Sequence, residues 1–370
     1  MRVQIVDPAA YTPPYDHALG AALARAGAEV ELVTAHFPYG PVPRESGYEV
    51  TELFYRRSSG VGEGAARRRR LLRAAEHLPA MFRHRRHARG ADVVHYQWLP
   101  VPRLDLRLLA AVHPRLFTMH WRFPDPGSRI AETLRQLLAR MDAVVAHSEH
   151  GKSRLAGDYG VDADRIEVIP HGAFDYLTRQ PDERPLPDEL AAVEGPVILA
   201  FGLVRPYKGT DLLLEAFARL EGAELWIVGM PRMPTERLRE LAARAPGTVR
   251  FVDRFVTDPE IPAFMRRADV VALPYRNIEQ SGVLYTALAF GRPLVLSDVG
   301  GFPEVSAHGA ARVFPRGDVG ALAEALRELL ADPAERDRLA AAALAAARGP
   351  YSWDAIGART LDLYRRLGAG

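Results

Sequence analysis

The sequence contains no cysteine, only two lysines and no long apolar segment. Without cysteine the chain can have neither a disulfide framework nor a thiolate metal site, and the cytoplasm is its simplest location. The longest apolar run, 339–347, is far shorter than the roughly 20 residues that a membrane-spanning helix needs. The first residues are typical of a short buried strand, so we expect no signal peptide there. A disulfide-stabilised secreted domain and a membrane-spanning protein are therefore not expected.

The composition is that of an ordinary globular protein, with 48% apolar and 25% charged residues. Since a domain takes roughly 150 residues, a chain of 370 predicts two domains. The net charge of +2 is too small to indicate nucleic-acid binding. Arginine supplies all the basic residues except Lys152 and Lys208. Because arginine would serve at an ordinary surface position, each lysine is a candidate for a role that needs a compact ammonium group.

Short β-rich runs alternate with helix-like segments along the chain, which is typical of α/β domains with a parallel sheet. In the first half the predicted strands are 3–6, 29–34, 92–95, 115–120, 143–147 and 166–169. A stretch rich in proline and acidic residues, 178–196, interrupts the alternation and is interpreted as a linker. We therefore predict an N-terminal domain over 1–178, a C-terminal domain over 190–350 and a final helix over 351–370.

The first candidate site is the loop between a predicted strand, 197–201, and a predicted helix, 211–220. A parallel sheet places its ligand crevice at such a strand end. Gly202 would let the backbone approach a phosphate, while Arg205 and Lys208 bring two cations to one loop. The alternative is an ordinary turn with solvated cations, which the scarcity of lysine disfavours.

The second candidate site follows the predicted strand 270–273 and begins a helix. Small residues at that point expose free amides at the positive end of the helix dipole, and such an end binds anions. The residues concerned are Ser281, Gly282, Val283 and Leu284. Glu279, just before them, either complements the helix dipole or accepts hydrogen bonds from the hydroxyls of a sugar.

Five short motifs occur in order along the chain: Ile169-Pro-His-Gly172, Gly202-x-x-Arg-x-Tyr-Lys-Gly209, Glu279-Gln-Ser-Gly-Val283, Gly291-Arg-Pro-Leu-Val295 and Gly300-Gly-Phe-Pro-Glu304. Each motif alone is modest, but their order and spacing together are distinctive. On these residues the chain resembles glycosyltransferase family 4 over almost its whole length. The resemblance implies an α/β protein of the GT-B fold. Two Rossmann-like parallel-sheet domains would face each other across a cleft, with the C-terminal helix returning to the N-terminal domain.

The resemblance also implies an activity and its site residues. Members of the family are retaining enzymes that move a sugar from a nucleotide diphosphate donor to an acceptor hydroxyl, usually without a metal ion. Arg205 and Lys208 would contact the donor diphosphate together with Gly202 and the amides of 281–284. Glu279 would lie near the donor sugar. No metal and no cofactor beyond the nucleotide sugar are expected.

One position departs from the family pattern. The family usually has a second glutamate eight positions after the first, which holds the ribose of the donor, and here that position is Ala287. A methyl group accepts no hydrogen bond, so other groups must hold the ribose hydroxyls or none do.

In enzymes of this shape the N-terminal domain receives the acceptor. The first loop of this domain, 8–17, has no glycine, so it lacks a dinucleotide-binding fingerprint, which argues against a dehydrogenase. Tyr15, Asp16 and His17 could face the cleft, although Asp16 could equally be a helix N-cap.

His120 ends the predicted strand 115–120, at the edge of the sheet where site residues gather. A single histidine is more often structural, but this position resembles the cleft histidine of the family, which favours a catalytic role. Arg122, beside it, could contact a phosphate of the donor or acceptor.

The segment 64–90 carries nine arginines and three histidines against one acidic residue, interleaved with large apolar side chains. Such a basic amphipathic helix could lie on an anionic membrane or hold a lipid-linked acceptor. A solvated arginine-rich face is the alternative. No nucleic-acid-binding module accompanies the segment, so nucleic acid is not an expected partner.

The sequence therefore predicts a retaining, metal-independent glycosyltransferase whose acceptor is a sugar, a lipid-linked molecule or a small molecule. Two other functions stay open at this point. A nucleotide-sugar hydrolase or epimerase would keep the nucleotide site, and a nucleotide-binding regulatory protein would bind without turnover.

Overall fold

The computed structural model describes residues 1–38, 42, 46–59, 66–120 and 123–369. The chain forms two compact units, one comprising Met1–Pro170 with Trp353–Gly370 and the other comprising His171–Ser352. The proline-rich stretch 178–196 belongs to the second unit rather than lying between domains. Leu177 and Leu190, on either side of its first half, pack into the core of that unit, and Arg184 donates its amide to the carbonyl of Pro259 at 2.8 Å.

The first unit contains a parallel sheet of seven strands. These are β1 (Arg2–Asp7), β2 (Glu29–Ala35), β3 (Glu49–Phe54), β4 (Val93–Tyr96), β5 (Arg115–Thr118), β6 (Ala143–Ala146) and β7 (Ile166–Val168). They lie in the order β3-β2-β1-β4-β5-β6-β7. The helices that connect them are α1 (Pro13–Arg25), α2 (Ala66–His87), α3 (Pro102–Asp105), α4 (Arg129–Leu138) and α5 (Glu149–Tyr159).

The strands of this sheet are apolar on both faces because helices cover both faces. Successive side chains of a strand point to opposite sides, so Ile5 belongs to the core on the side of α1, while Val6 belongs to the core that α2, α4 and α5 cover. The strand order reverses direction between β1 and β4. In an open parallel sheet the ligand crevice lies at the carboxyl ends of the strands beside this reversal. The residues that follow β1, β4 and β5 therefore lie at the candidate crevice.

The second unit repeats this plan with six parallel strands. They are β8 (Val197–Phe201), β9 (Glu224–Val228), β10 (Val249–Val252), β11 (Val270–Leu273), β12 (Leu294–Ser297) and β13 (Ala311–Phe314), in the order β10-β9-β8-β11-β12-β13. Its helices are α6 (Asp188–Ala191), α7 (Thr210–Phe217), α8 (Glu236–Ala243), α9 (Ile261–Arg267), α10 (Gly282–Ala289), α11 (Phe302–Ser306), α12 (Val319–Ala331) and α13 (Pro333–Arg348). The strand order reverses between β8 and β11, and both candidate donor loops follow these two strands.

The last helix, α14 (Trp353–Arg366), returns to the first unit and packs against α1. The Trp353 ring meets the edge of Tyr15 at 5.1 Å, and the hydroxyl of Tyr364 lies 2.7 Å from Nδ1 of the buried His95 on β4. The predicted fold class of two Rossmann-like parallel-sheet domains with a returning C-terminal helix is confirmed. Among the described residues, no helix is both long and apolar enough to cross a membrane.

Candidate active site

The Lys208 ammonium lies at the carboxyl edge of the second sheet. It donates a hydrogen bond to the carbonyl of Phe201 at 3.1 Å and lies 5.3 Å from the centroid of the Tyr275 ring. Gly202 has a φ of +88°, which favours glycine, and a Cβ atom there would lie 2.9 Å from the Lys208 Nζ and 3.1 Å from a methyl of Val283. Gly202, Lys208 and Val283, which come from two separate sequence motifs, therefore converge on one point.

A second set of contacts binds the two motifs together. Arg276 forms a bidentate pair with Asp211, both contacts at 2.8 Å, and donates its backbone amide to the carbonyl of Tyr207 at 2.7 Å. Gly209 has a φ of +66°, and a Cβ atom there would lie 2.0 Å from the carbonyl oxygen of Pro274. The loop that carries Lys208 thus lies directly on the segment that follows β11.

Asp211 is the partner that holds this arrangement. Burial alone would raise its pKa, but the hydrogen bonds and the charge of Arg276 lower the pKa below its usual value. An ionised Asp211 keeps Arg276 fixed on the loop, so Arg276 is a structural cation rather than one available to a ligand. Arg205, by contrast, has an exposed side chain at the start of the same loop.

The first turn of α10 presents backbone amides beside the Lys208 loop. Ser281 occupies the N-cap position, yet its side chain does not cap the helix and instead lies 3.4 Å from the hydroxyl of Tyr275. Gly282 is exposed and Val283 is half-buried, whereas Leu284 is buried and donates its amide to the carbonyl of Ser281. Gly282 and Val283 are therefore the helix residues placed to offer amides to an anion.

Burial lowers the pKa of Lys208 to about 8, and the positive charge of Arg205 acts in the same direction. An ammonium that is poorly hydrated and close to its titration point gains more from an incoming anion than a fully solvated one. Such a perturbed cation in a crevice is a common feature of functional sites.

Glu279 precedes α10, and Ala287 lies inside this helix, near its end. Glu279 is half-buried in the segment before the helix, where its carbonyl accepts the amide of Gly301 at 3.4 Å. Ala287 is fully buried in the core of the second unit. The position at which the family pattern has a ribose-binding carboxylate therefore holds a methyl group packed among apolar side chains.

The edge of the first sheet is organised by a buried pair of carboxyl groups. Asp7, at the end of β1, accepts the backbone amides of Ala9, Tyr11 and Thr12 at 3.1, 2.6 and 3.1 Å. Asp16 lies beside it on α1, and burial together with the charge of Asp7 raises the pKa of Asp16 well above its usual value. Two carboxyl groups this close together in a dry site favour sharing one proton. Asp7 holds the loop from inside through the three amides that it accepts.

This arrangement changes the interpretation of the first loop. Tyr15 and Asp16 are buried within the first unit, and Asp16 is not an N-cap, since Thr12 occupies that position. His17 is half-buried, with Nδ1 at 2.6 Å from the hydroxyl of Tyr48. The buried carboxyl pair, Asp7 and Asp16, thus supports the loop from within. Arg122 lies outside the described residues.

Two aromatic residues that the sequence did not single out are more accessible at this edge. Tyr11 is 52% exposed and meets Trp98 edge to face at 5.1 Å. The Trp98 indole donates to the hydroxyl of Thr12 at 2.8 Å and stacks on the His120 ring, with the centroids 5.5 Å apart. A signal for Tyr11 was available in the sequence, because an aromatic residue in a strand-end loop of a parallel sheet is well placed for a ligand.

His120 is held in a hydrogen-bonded chain. Its Nε2 lies 2.9 Å from the side-chain oxygen of Gln97, and its Nδ1 lies 3.3 Å from Nε2 of His147. Burial lowers the pKa of His147 to about 4, so its ring is neutral. Because the carbonyl of Ile169 can only accept, Nδ1 of His147 carries the hydrogen in their 3.0 Å contact. Gln97 and His147 thus orient the His120 ring.

No group of three or more His, Asp or Glu side chains within the described ranges could hold a metal ion. The Lys208 ammonium and the uncapped amides at the start of α10 suit an anionic ligand.

Family models match both halves of the chain. The model described as Glycosyltransferase Family 4 matches residues 16–173, and the model described as Glycosyl transferases group 1 matches residues 195–332. A D-inositol 3-phosphate glycosyltransferase from Xylanimonas cellulosilytica is 32% identical over 397 residues, covering 94% of this chain and 89% of the relative. The chain therefore belongs to glycosyltransferase family 4 and is an enzyme of the glycosyltransferase class.

Other proteins are similar at lower identity. A GDP-mannose-dependent monoacylated alpha-(1-6)-phosphatidylinositol monomannoside mannosyltransferase from Corynebacterium glutamicum is 28% identical over 64% of this chain and 65% of its own. The structure of HepE from Anabaena in complex with UDP-glucose aligns with a TM-score of 0.72 at 19% identity, covering 99% of this chain and 100% of that chain. These comparisons give no support to a nucleotide-sugar hydrolase or epimerase.

The pKa of Lys208 leads to a pH prediction. If this loop holds a donor diphosphate, affinity for a nucleoside diphosphate is greatest while Lys208 is charged and weakens as the pH rises through about 8. The terminal phosphate, with a pKa of about 6, is already ionised in this range. Titration calorimetry with UDP or GDP from about pH 7 to about pH 9.5 should show a loss approaching tenfold per pH unit above the midpoint. A Lys208→Arg variant, whose guanidinium does not titrate, should show no such decline, and a flat wild-type profile would contradict the assignment.

Proposed function

We propose that this glycosyltransferase moves a sugar from a nucleoside diphosphate donor to an acceptor hydroxyl with retention of configuration and without a metal ion. The observation that carries the proposal is the convergence of the Lys208 ammonium, Gly202 and the first turn of α10 at one edge of the second sheet. A partly buried cation, a glycine that allows close approach and uncapped amides together suit a diphosphate. The solved complex of HepE with UDP-glucose supports the same class of donor.

In the proposed complex the second unit holds the donor. The diphosphate would lie between Lys208, Arg205 and the amides of Gly282 and Val283. Glu279 would accept hydrogen bonds from hydroxyls of the donor sugar. As the bond from the anomeric carbon to the phosphate oxygen breaks, negative charge grows on the phosphate, and the preorganised cations and amides stabilise it most at that moment.

The acceptor oxygen would attack the anomeric carbon from the face that the phosphate leaves. The new carbon–oxygen bond forms there, and the acceptor proton passes to the departing phosphate oxygen. This route requires no protein nucleophile. His120, oriented by Gln97 and His147, would act at the reacting sugar.

The acceptor is proposed to be a sugar, a lipid-linked molecule or another small polyol. The names of the inositol phosphate and phosphatidylinositol mannoside enzymes among the relatives make a phosphorylated cyclitol the first probe. Tyr11 and Trp98 provide an aromatic surface at the edge of the first sheet on which a ring could pack.

Product analysis tests the reaction directly. The protein is incubated with UDP-glucose or GDP-mannose and a panel of acceptors that begins with D-inositol 3-phosphate, and the product is examined by proton NMR. We expect an α-linked product from an α-linked donor and an unchanged rate in excess EDTA. Glu279→Gln and His120→Ala should each lower turnover by about 100-fold at saturating donor while the affinity for the bare nucleoside diphosphate changes little.

Three outcomes would contradict the proposal. An inverted product would exclude same-face attack, and loss of activity in EDTA would require a metal. Release of free sugar at a rate that no acceptor improves would instead indicate a hydrolase. If Glu279→Gln abolished nucleotide binding but left turnover intact, Glu279 would act on the nucleotide and not on the sugar.

The buried Ala287 leads to a prediction about the nucleoside. A site built to hydrogen-bond a hydroxyl rejects a ligand that lacks it by about 10⁴-fold or more, whereas a site without that partner is tolerant. We expect UDP and its 2′-deoxy form to bind within about threefold of each other. Titration calorimetry of the two nucleotides measures this, with the shared base as an internal control. Discrimination of 100-fold or more against the deoxy form would mean that another residue replaces the missing glutamate.

A further inference from the structure

Helix α2 presents an outer face that neither candidate site uses. Three large apolar side chains on this face, Leu71, Leu78 and Phe82, are exposed by 65%, 42% and 52%. With about 3.6 residues per turn, their spacing puts them on one stripe of the helix. Holding such a stripe in water is unfavourable, and a contiguous exposed apolar stripe marks a surface that meets something apolar.

Exposed arginines surround this stripe at both ends of the helix and just beyond it. They are Arg67, Arg68, Arg70, Arg83, Arg85, Arg86 and Arg89. Within the part of the chain that the structure describes, none of them is paired with a carboxylate. Several arginines elsewhere are paired with carboxylates, for example Arg250 with Glu224 at 2.7 Å and Arg366 with Glu167 at 2.9 Å. The positive charge of α2 is therefore left for an external partner.

The positive charge of the chain is concentrated in the segment that contains α2. Nine arginines and one glutamate lie in 64–90, yet the net charge of the chain is only +2, so the remainder of the chain is net acidic. The one glutamate, Glu76, accepts the backbone amides of Arg57 and Ser58 at 2.9 and 3.0 Å. Glu76 is thus engaged with the fold and does not neutralise the outer face.

The inner face of α2 is anchored in the first unit. His77 lies 2.6 Å from a carboxylate oxygen of the buried Asp105, and its other ring nitrogen lies 2.7 Å from the hydroxyl of Tyr55. Ala80 and Met81 are fully buried in the core. The outer face is therefore presented in a fixed orientation, with the apolar stripe pointing away from the sheet.

We propose that the outer face of α2, formed by the apolar stripe and its arginines, docks onto the surface of an anionic lipid bilayer. Leucine and phenylalanine would enter the boundary between headgroups and acyl chains, while the long arginine side chains reach the lipid phosphates. A nucleic acid would use the arginines but leave the stripe in water. A second copy of this chain would bring two sets of unpaired arginines together. The docking requires neither donor nor acceptor, so it can be tested independently of the transfer reaction.

Vesicle cosedimentation of the full chain tests the docking. Wild-type protein should bind vesicles of phosphatidylcholine mixed with phosphatidylglycerol, should bind vesicles of phosphatidylcholine alone much more weakly, and should be released by salt. With each arginine near the surface contributing about 1 kcal/mol, combined Arg85→Glu and Arg86→Glu substitutions should weaken binding by at least about 30-fold. Leu78→Ser with Phe82→Ser should weaken binding at constant charge.

Matched substitutions elsewhere on the surface serve as controls. Arg237→Glu with Arg244→Glu changes the net charge equally at two exposed arginines of the second unit. Ile130→Ser removes an apolar side chain that is 63% exposed on α4, close to the 65% of Leu71, and is compared with Leu71→Ser. These control variants should bind like the wild type, and thermal unfolding should be unchanged for every variant.

Several results would overturn the docking. Absence of binding to anionic vesicles at low salt would do so, as would binding that survives the substitutions on α2. An equal loss in the control variants would show that net charge alone drives adsorption. Dissociation of a wild-type dimer by Leu78→Ser with Phe82→Ser, seen by light scattering without lipid, would assign the stripe to self-association instead.

Discussion

The second unit depends on one constrained placement, that of the Lys208 ammonium against the Phe201 carbonyl and the Tyr275 ring. A cation held in a partly dry crevice is costly unless it is paired, and here it has one carbonyl and one aromatic face. The neighbouring residues stabilise this placement of the ammonium. Gly202 leaves room for the ammonium, and Arg276 with Asp211 fixes the loop onto the next strand end. An anionic ligand would give the Lys208 ammonium the negatively charged partner that these two contacts do not provide.

At the carboxyl edge of its sheet, the first unit has buried carboxyl groups where the second unit has a cation. Its carboxyl groups, Asp7 and Asp16, are buried, and Asp7 accepts the amides of Ala9, Tyr11 and Thr12 in the first loop, so these amides are not available to an anionic ligand. The histidines there are linked to Gln97 and to a backbone carbonyl. One sheet edge thus favours an anionic ligand, whereas the other presents aromatic and imidazole side chains.

Much of this could be predicted from the sequence because the signals are local. The alternation of strands and helices gave both parallel sheets, and a rare lysine after a strand pointed to the site loop. What the sequence did not reveal comes from contacts between distant residues. Tyr15 packs against Trp353 of the last helix, and the charge of Asp7 acts on Asp16. The stretch 178–196 looked like a linker by composition, yet Leu177 and Leu190 hold it to the second core. The pairing of Arg276 with Asp211 also joins two motifs that no local pattern connects.

The central claim is that the second unit binds a nucleoside diphosphate around Lys208, and the two lysines of the chain provide the most direct test. Titration calorimetry compares wild type, Lys208→Ala and Lys152→Ala with whichever of UDP and GDP binds the wild type more tightly. Losing a hydrogen bond to a charged group costs about 1.5–3 kcal/mol, so Lys208→Ala should bind about 10- to 100-fold more weakly. Lys152→Ala, on α5 of the first unit, should bind like the wild type. A folded Lys208→Ala protein with unchanged affinity, or an equal loss in Lys152→Ala, would contradict the account.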